Sequence, residues 1–212
     1  MMQPSRPYSI KGLYAITPDE LNTAQLLHQT KLVLQGGAQV LQYRNKCADT
    51  TLKLAQATAL RNLTREFGAI FIVNDDVWLA QQVAADGVHL GGGDGSIAAA
   101  RAVLGNDKLI GVSCYNRLDL AHSAMRNGAD YVAFGAFFAS TVKPNAPVAS
   151  LDLLQQARHE ISLPIVAIGG ITVANGASLI AAGADALAVI SAVFAAADIK
   201  QSAQQFSELT AA

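Results

Sequence analysis

Gly183-Ala184-Asp185-Ala186-Leu187 opens a short apolar run, and related phrases open two others, Gly128-Ala129-Asp130-Tyr131-Val132 and Gly36-Gly37-Ala38-Gln39-Val40. In each, glycine ends a helix-like segment and a strand-like run starts shortly after. Working outward, eight β-type runs stand out: GLYAIT, VLQYR, AIFIVN, GVHLG, LIGVSCY, YVAFGAFF, PIVAIGG and ALAVISAVF. Helix-like segments alternate with them over residues 21–35, 50–67, 77–85, 97–104, 118–127, 151–160, 173–182 and 199–209. The runs are almost continuously apolar, as parallel strands covered on both faces are. The helices show apolar spacing of three and four, as in Leu118, Ala121, His122 and Met125. Thr172 stands where a cap of the seventh helix belongs. Eight β/α units within 212 residues predict an α/β protein, a single (β/α)8 TIM barrel spanning 1–212, with 1–11 as a short N-terminal extension. The alternative is a doubly wound open sheet. That fold usually carries a Gly-rich dinucleotide turn after its first strand, and here the strand ends in Ala15-Ile16-Thr17-Pro18.

Composition narrows the function. The chain is 51% hydrophobic and 15% charged, which suits one compact domain with a large core. Fifteen basic residues face 16 acidic ones, for a net charge of -1. There is no basic stripe for nucleic acid. The opening MMQPSRPYSIKG lacks an apolar signal core. Residues 163–197, the most apolar region, are cut by Gly, Asn and Asp, whereas a membrane span needs roughly 20 apolar residues. Cys47 and Cys114 imply neither a disulfide framework nor a metal motif. The expectation is a soluble, reduced, cytoplasmic protein that acts on small molecules, with no nucleic-acid or membrane partner. Outer helices such as 151–160 leave room for a homo-oligomer.

Barrel sites lie at the C-terminal ends of the strands, so polar residues there are the candidates. Gln42, Arg44 and Lys46 end the second run and share one face by strand alternation. Arg offers a planar fork for phosphate oxygens and Lys a point charge. Asn74 and Asp75 end the third run, and Asp94 follows the fourth in Gly91-Gly92-Gly93-Asp94-Gly95. Asp75 with Asp94 points to Mg2+, which takes one or two carboxylates plus substrate phosphate and water. Asp75 or Asp76 alone reads better as a helix N-cap. The long irregular stretch 139–147 holds Ser140, Thr141, Val142 and Lys143, and reads equally well as an anion-closing loop or an ordinary exposed one. Gly169-Gly170 and Ile190-Ser191 follow the seventh and eighth runs, where barrels often bind phosphate through backbone N–H groups. Ser113 is a ligand contact or a cap for the helix after Arg117. His89 lies inside a strand and reads as a satisfied core residue. His28, His122 and His159 fall on helices, and no Ser-His-Asp or Cys-His arrangement is legible. A mouth with cations, carboxylates and amides but no evident acid–base His suits departure of a metal-bound diphosphate.

The ordered set QYRNK, VND, HLGGGD, GVS, STVK, IGGIT and VIS resembles the thiamine-phosphate synthase family over nearly the whole chain, from Gly12 to Ala192. The resemblance implies a transferase that joins 4-amino-2-methyl-5-hydroxymethylpyrimidine diphosphate to a thiazole phosphate, releasing pyrophosphate. It implies a pyrimidine diphosphate site at Gln42, Arg44, Lys46, Asn74, Ser113 and Lys143, with Tyr43 and Asn45 as further substrate-binding residues. It implies Mg2+ on Asp75 and Asp94, and thiazole phosphate held by Ser140, Thr141, Val142, Gly170, Ile190 and Ser191. Arg44, Lys46, Ser113 and Lys143 would carry the catalysis, through dissociative loss of pyrophosphate. The family pattern P-T-x-T-K is replaced here by Ala139-Ser140-Thr141-Val142-Lys143. A thiazole tautomerase of the same fold, and a non-catalytic barrel that senses thiamine phosphate, are the alternatives.

Overall fold

The computed structural model describes residues 9–92, 95–138 and 148–211. Eight strands alternate with helices: β1 (Gly12–Ile16), α1 (Thr23–Gln35), β2 (Val40–Tyr43), α2 (Thr50–Phe67), β3 (Ile70–Asn74), α3 (Val77–Gln82), β4 (Gly87–Leu90) and α4 (Ile97–Leu104). They continue with β5 (Leu109–Tyr115), α5 (Leu118–Arg126), β6 (Tyr131–Phe134), α6 (Leu151–Glu160), β7 (Ile165–Ile168), α7 (Val173–Ala181), β8 (Ala186–Val189), α8 (Ser191–Phe194) and α9 (Ile199–Ala211). The strands pair in parallel, in chain order, and β8 closes on β1 through Leu13 opposite Leu187. The expected (β/α)8 barrel is therefore the fold. The run ALAVISAVF divides into β8 and the short α8, because Ile190 leaves the extended region at ψ -86°. Among the described residues no helix is long and apolar enough to cross a membrane.

Two apolar layers follow from strand alternation. Leu13, Ala15, Leu41, Phe71, Val73 and Val88 point outward and pack under the helices. Tyr14, Ile16, Val40, Ile70, Ile72, Tyr131 and Val166 point into the barrel. The helices begin where side chains can satisfy their first N–H groups. Asn22, Asp49, Asp76, Ser96 and Ser150 each accept an N–H from the first turn, and Thr172 forms a capping box with Asn175.

The recurring pre-strand phrase has a structural meaning. Asp86, Asp130 and Asp185 each stand one residue before an even-numbered strand, at the closed end of the barrel. Each carboxylate accepts an N–H from the preceding odd strand: Phe71 at 2.8 Å, Ile110 at 2.7 Å and Ile165 at 2.8 Å. Each also takes an arginine from the helix before that strand. Arg61 of α2 binds Asp86 with both Nη atoms, at 2.7 and 2.8 Å. Arg101 of α4 reaches Asp130 at 2.8 Å and Arg158 of α6 reaches Asp185 at 3.2 Å. At the fourth equivalent place Gln39 packs its amide against Gly12, leaving no room for a Cβ there. Two β/α units are thus the repeat, fastened from helix to strand to strand.

The Asp86 latch is nearly dry, with side-chain exposures of 12% for Arg61 and 5% for Asp86. Removing one partner strands a buried charge and an unpaired amide. We expect Asp86→Ala to lower unfolding stability by about 3 kcal/mol, read from urea unfolding at pH 7. A change under about 0.5 kcal/mol, the range of ordinary surface substitutions, would show that the latch contributes nothing net.

Candidate active site at the strand C-termini

The open end of the barrel holds a cavity of about 550 Å³. Its floor is polar. Gln42 donates from Nε2 to the Tyr14 hydroxyl at 2.8 Å, and the Tyr14 and Tyr131 hydroxyls lie 2.9 Å apart. His89 Nδ1 lies 3.1 Å from the Tyr131 hydroxyl, and His89 Nε2 lies 2.9 Å from Ser113 Oγ. Burial pushes both phenols far above the ordinary tyrosine range, so they stay neutral. The opposite wall, from β6 to β8, is lined by Ala133, Val166, Ile168 and Ala188. One side therefore hydrogen-bonds while the other offers flat apolar surface, a shape suited to an aromatic heterocycle.

Around the rim lie the turns after β7 and β8. Gly169 and Gly170 adopt φ +104° and +63°, the left-handed region that favours glycine. Gly170, Ile190 and Ser191 all line the cavity.

A smaller cavity of about 100 Å³ adjoins the first, and Arg44 and Asn74 border both. Lys46, Lys53, Asp75 and Asp76 line it with Tyr43 and Asn45. Lys46 does not reach this place by strand alternation, since β2 ends at Tyr43. The turn after β2 is set instead by the turn after β1. Thr17 Oγ1 accepts the Arg44 N–H and donates to the Arg44 carbonyl, both at 2.9 Å. Asp19 receives Arg44 Nη1 on both oxygens at 3.2 Å and the Lys46 N–H at 2.7 Å. Asn45 donates to the Glu20 carbonyl at 2.7 Å and accepts the Cys47 and Ala48 N–H groups at 3.1 Å. Tyr43 donates to Gln56 Oε1 at 2.9 Å. The polar atoms of Tyr43 and Asn45 thus brace the turn that presents Arg44 and Lys46.

The two adjacent aspartates separate cleanly. Asp76 caps α3 by accepting the Leu79 N–H at 2.9 Å. Asp75 sits at φ +64° and gives its N–H to the His89 carbonyl at 2.8 Å. It borders the smaller cavity. Asp94, Ser140, Thr141, Val142 and Lys143 lie outside the described residues, so the expected meeting of Asp75 with Asp94 does too.

Other expectations need correction. Ser113 does not cap the helix after it: Arg117 is the N-cap of α5, with no side-chain cap bond, and the Ser113 hydroxyl faces His89. His89 is a satisfied buried residue, as read, but it also lines the cavity. Cys114 points away from the cavity into the outer core, where burial raises its thiol to about 12. Tyr14, Tyr131, Tyr115 and Lys53 were not singled out, although all border one of the cavities. For Tyr14 and Tyr131 a signal existed: each brings a polar tip into a strand whose other residues are apolar. Lys53, in the first turn of α2, carries none.

The closed barrel, with its cavity and the adjoining charged recess at the strand C-termini, defines a (β/α)8 protein with a small-molecule-sized site at the usual end of the fold. A sequence model described as thiamine monophosphate synthase matches residues 13–193, and the chain belongs to that family. The thiamine-phosphate synthase of Methylobacillus flagellatus is 58% identical over 200 residues, covering 94% of this chain and 95% of its own. A thiamine phosphate pyrophosphorylase from Pyrococcus furiosus superposes with a TM-score of 0.86 at 36% identity, covering 94% of this chain and 95% of its own. An orotidine 5'-phosphate decarboxylase from Pyrococcus horikoshii has a TM-score of 0.69 at 15% identity over 93% of this chain and 99% of its own. That likeness concerns the fold alone.

Proposed function

We propose that the protein condenses hydroxymethylpyrimidine diphosphate with a thiazole phosphate to give thiamine phosphate and pyrophosphate. Family membership supports the reaction. The observation that carries it to this site is the joining of a ring-sized cavity, through Arg44 and Asn74, to a recess bordered by Lys46, Lys53 and Asp75. The bond between the pyrimidine methylene carbon and the diphosphate oxygen breaks, and its electron pair leaves on pyrophosphate. The thiazole nitrogen lone pair then forms the new C–N bond to that carbon. Arg44 and Lys46 hold the diphosphate and stabilise the charge it gains on leaving. Ser113 and Gln42 orient the pyrimidine from the floor. Backbone N–H groups around Gly170, Ile190 and Ser191 hold the thiazole phosphate, and family membership assigns Ser140, Thr141 and Val142 to the same phosphate and Lys143 to the diphosphate.

The donor set of the recess fits Mg2+, which favours hard oxygen ligands with few protein carboxylates. Asp75 would hold the ion together with Asp94, while Asp76 is committed to its cap. When bound, the ion neutralises charge on the leaving diphosphate.

The reaction is tested by following product in the presence of both substrates and Mg2+. Thiamine phosphate and pyrophosphate are expected in equal amounts, and their absence overturns the assignment. Arg44→Ala should raise KM for the pyrimidine diphosphate about tenfold or more, as loss of a charge-assisted fork implies. KM for the thiazole phosphate should stay within about twofold, since Arg44 acts on the other substrate. The reverse pattern in steady-state kinetics would move Arg44 to the thiazole side.

A further inference from the structure

Five buried or half-buried side chains from five strands make one unbroken line of hydrogen bonds across the cavity floor. In order they are Gln42 of β2, Tyr14 of β1, Tyr131 of β6, His89 of β4 and Ser113 of β5. Tyr14 and Tyr131 are 1% and 0% exposed. The His89 and Tyr131 rings stack with centroids 5.5 Å apart, which fixes the imidazole plane. Both ends of the line, Gln42 and Ser113, face the cavity.

Proton counting sets the direction of this line. A neutral phenol has one proton, and within this line a buried tyrosine that accepts on one side satisfies that proton by giving it to the other. Gln42 gives an N–H to Tyr14. Tyr14 then gives its proton to Tyr131, and Tyr131 gives to His89 Nδ1. The imidazole proton sits on Nε2 and is given to Ser113 Oγ. The serine proton is left for the cavity, as is the carbonyl oxygen of Gln42. One end of the floor is therefore a donor and the other an acceptor, and neither can reverse alone.

We propose that Tyr131 and His89 are positioning residues that lock Ser113 as donor and Gln42 as acceptor, and so select a ring bearing an acceptor nitrogen beside a donor amino group. The choice of ring rests on the pyrimidine reading given above; the proton order does not. With the diphosphate arm anchored at Arg44 the ring cannot turn over. An oxo group in place of the amino group would then set acceptor against acceptor.

Two measurements test this. The first needs no substrate. Long-range 15N–1H NMR of the free protein at pH 8.5 reads the His89 tautomer, its signals assigned by their loss in His89→Gln. Nε2–H is expected in the unaltered protein, with a shift toward the other tautomer in Tyr131→Phe. Nδ1–H in the unaltered protein, a doubly protonated ring, or no change in Tyr131→Phe overturns the relay.

The second compares kcat/KM for the amino substrate with that for its oxo analogue. A preference of about 100-fold or more is expected, the scale of an unpaired buried polar group, and Tyr131→Phe should reduce it about tenfold. A merely structural tyrosine would lower both rates alike and leave the ratio unmoved, which overturns the proposal. Tyr14→Phe breaks the same line one bond away and must narrow the ratio similarly, so a poorly folding Tyr131→Phe does not protect the idea. If the unaltered protein released no pyrophosphate at all, the reaction would fall, and the NMR result would still decide the relay.

Discussion

Asp75→Asn should reduce pyrophosphate release by about 100-fold or more, the scale on which loss of one preorganised electrostatic group acts, while the thermal unfolding midpoint stays where it was. Asparagine is the informative replacement. It keeps the size of the side chain and tolerates the φ of +64° at this position, so strain does not confuse the result. The substitution removes the carboxylate charge at the recess while keeping the shape of the side chain. Asp76→Asn is the matching control, because its side chain caps α3 and asparagine caps nearly as well. Turnover equal to the unaltered enzyme in Asp75→Asn, at limiting Mg2+, would remove Asp75 from the metal site.

Gly111→Ala should be nearly as damaging, for a different reason. A Cβ at Gly111 would fall 1.9 Å from the Tyr131 ring. The ring is buried and stacked on His89, so it cannot yield that distance without leaving its present line. Tyr131 would then lose its partners Tyr14 and His89, and Ser113 would lose its fixed imidazole. We expect a loss of about 1–3 kcal/mol of stability, the usual range for overpacking. We also expect at least a tenfold rise in KM for the pyrimidine diphosphate, since the floor would no longer match the ring. A variant with unaltered KM would show that the ring contact is incidental to binding.

Much of this molecule was legible in the chain. The order of β/α units and the barrel followed from continuous apolar runs, and helices 50–67, 97–104 and 151–160 end where the pattern said. That legibility has a cause: strands buried on both faces leave no polar alternation to confuse. Gln42, Arg44, Gly170, Ile190 and Ser191 could be placed at the cavity because a barrel gathers its strand C-termini at one end. The misses share a cause as well. Tyr14 and Tyr131 look like core because they are core; their polar tips acquire meaning only through partners up to 117 residues away. Strand alternation does not place Lys46, since β2 ends at Tyr43 and the Lys46 N–H is held by Asp19 in another turn. Long-range pairings of this kind have no local signature in one sequence.

The three carboxylate–arginine fastenings gather at the closed pole of the molecule, while the residues proposed for chemistry gather at the open pole. A lineage can therefore rebuild the rim loops for a new ligand while leaving its anchoring undisturbed. Two such separable poles give a small protein room to change trade without losing its shape.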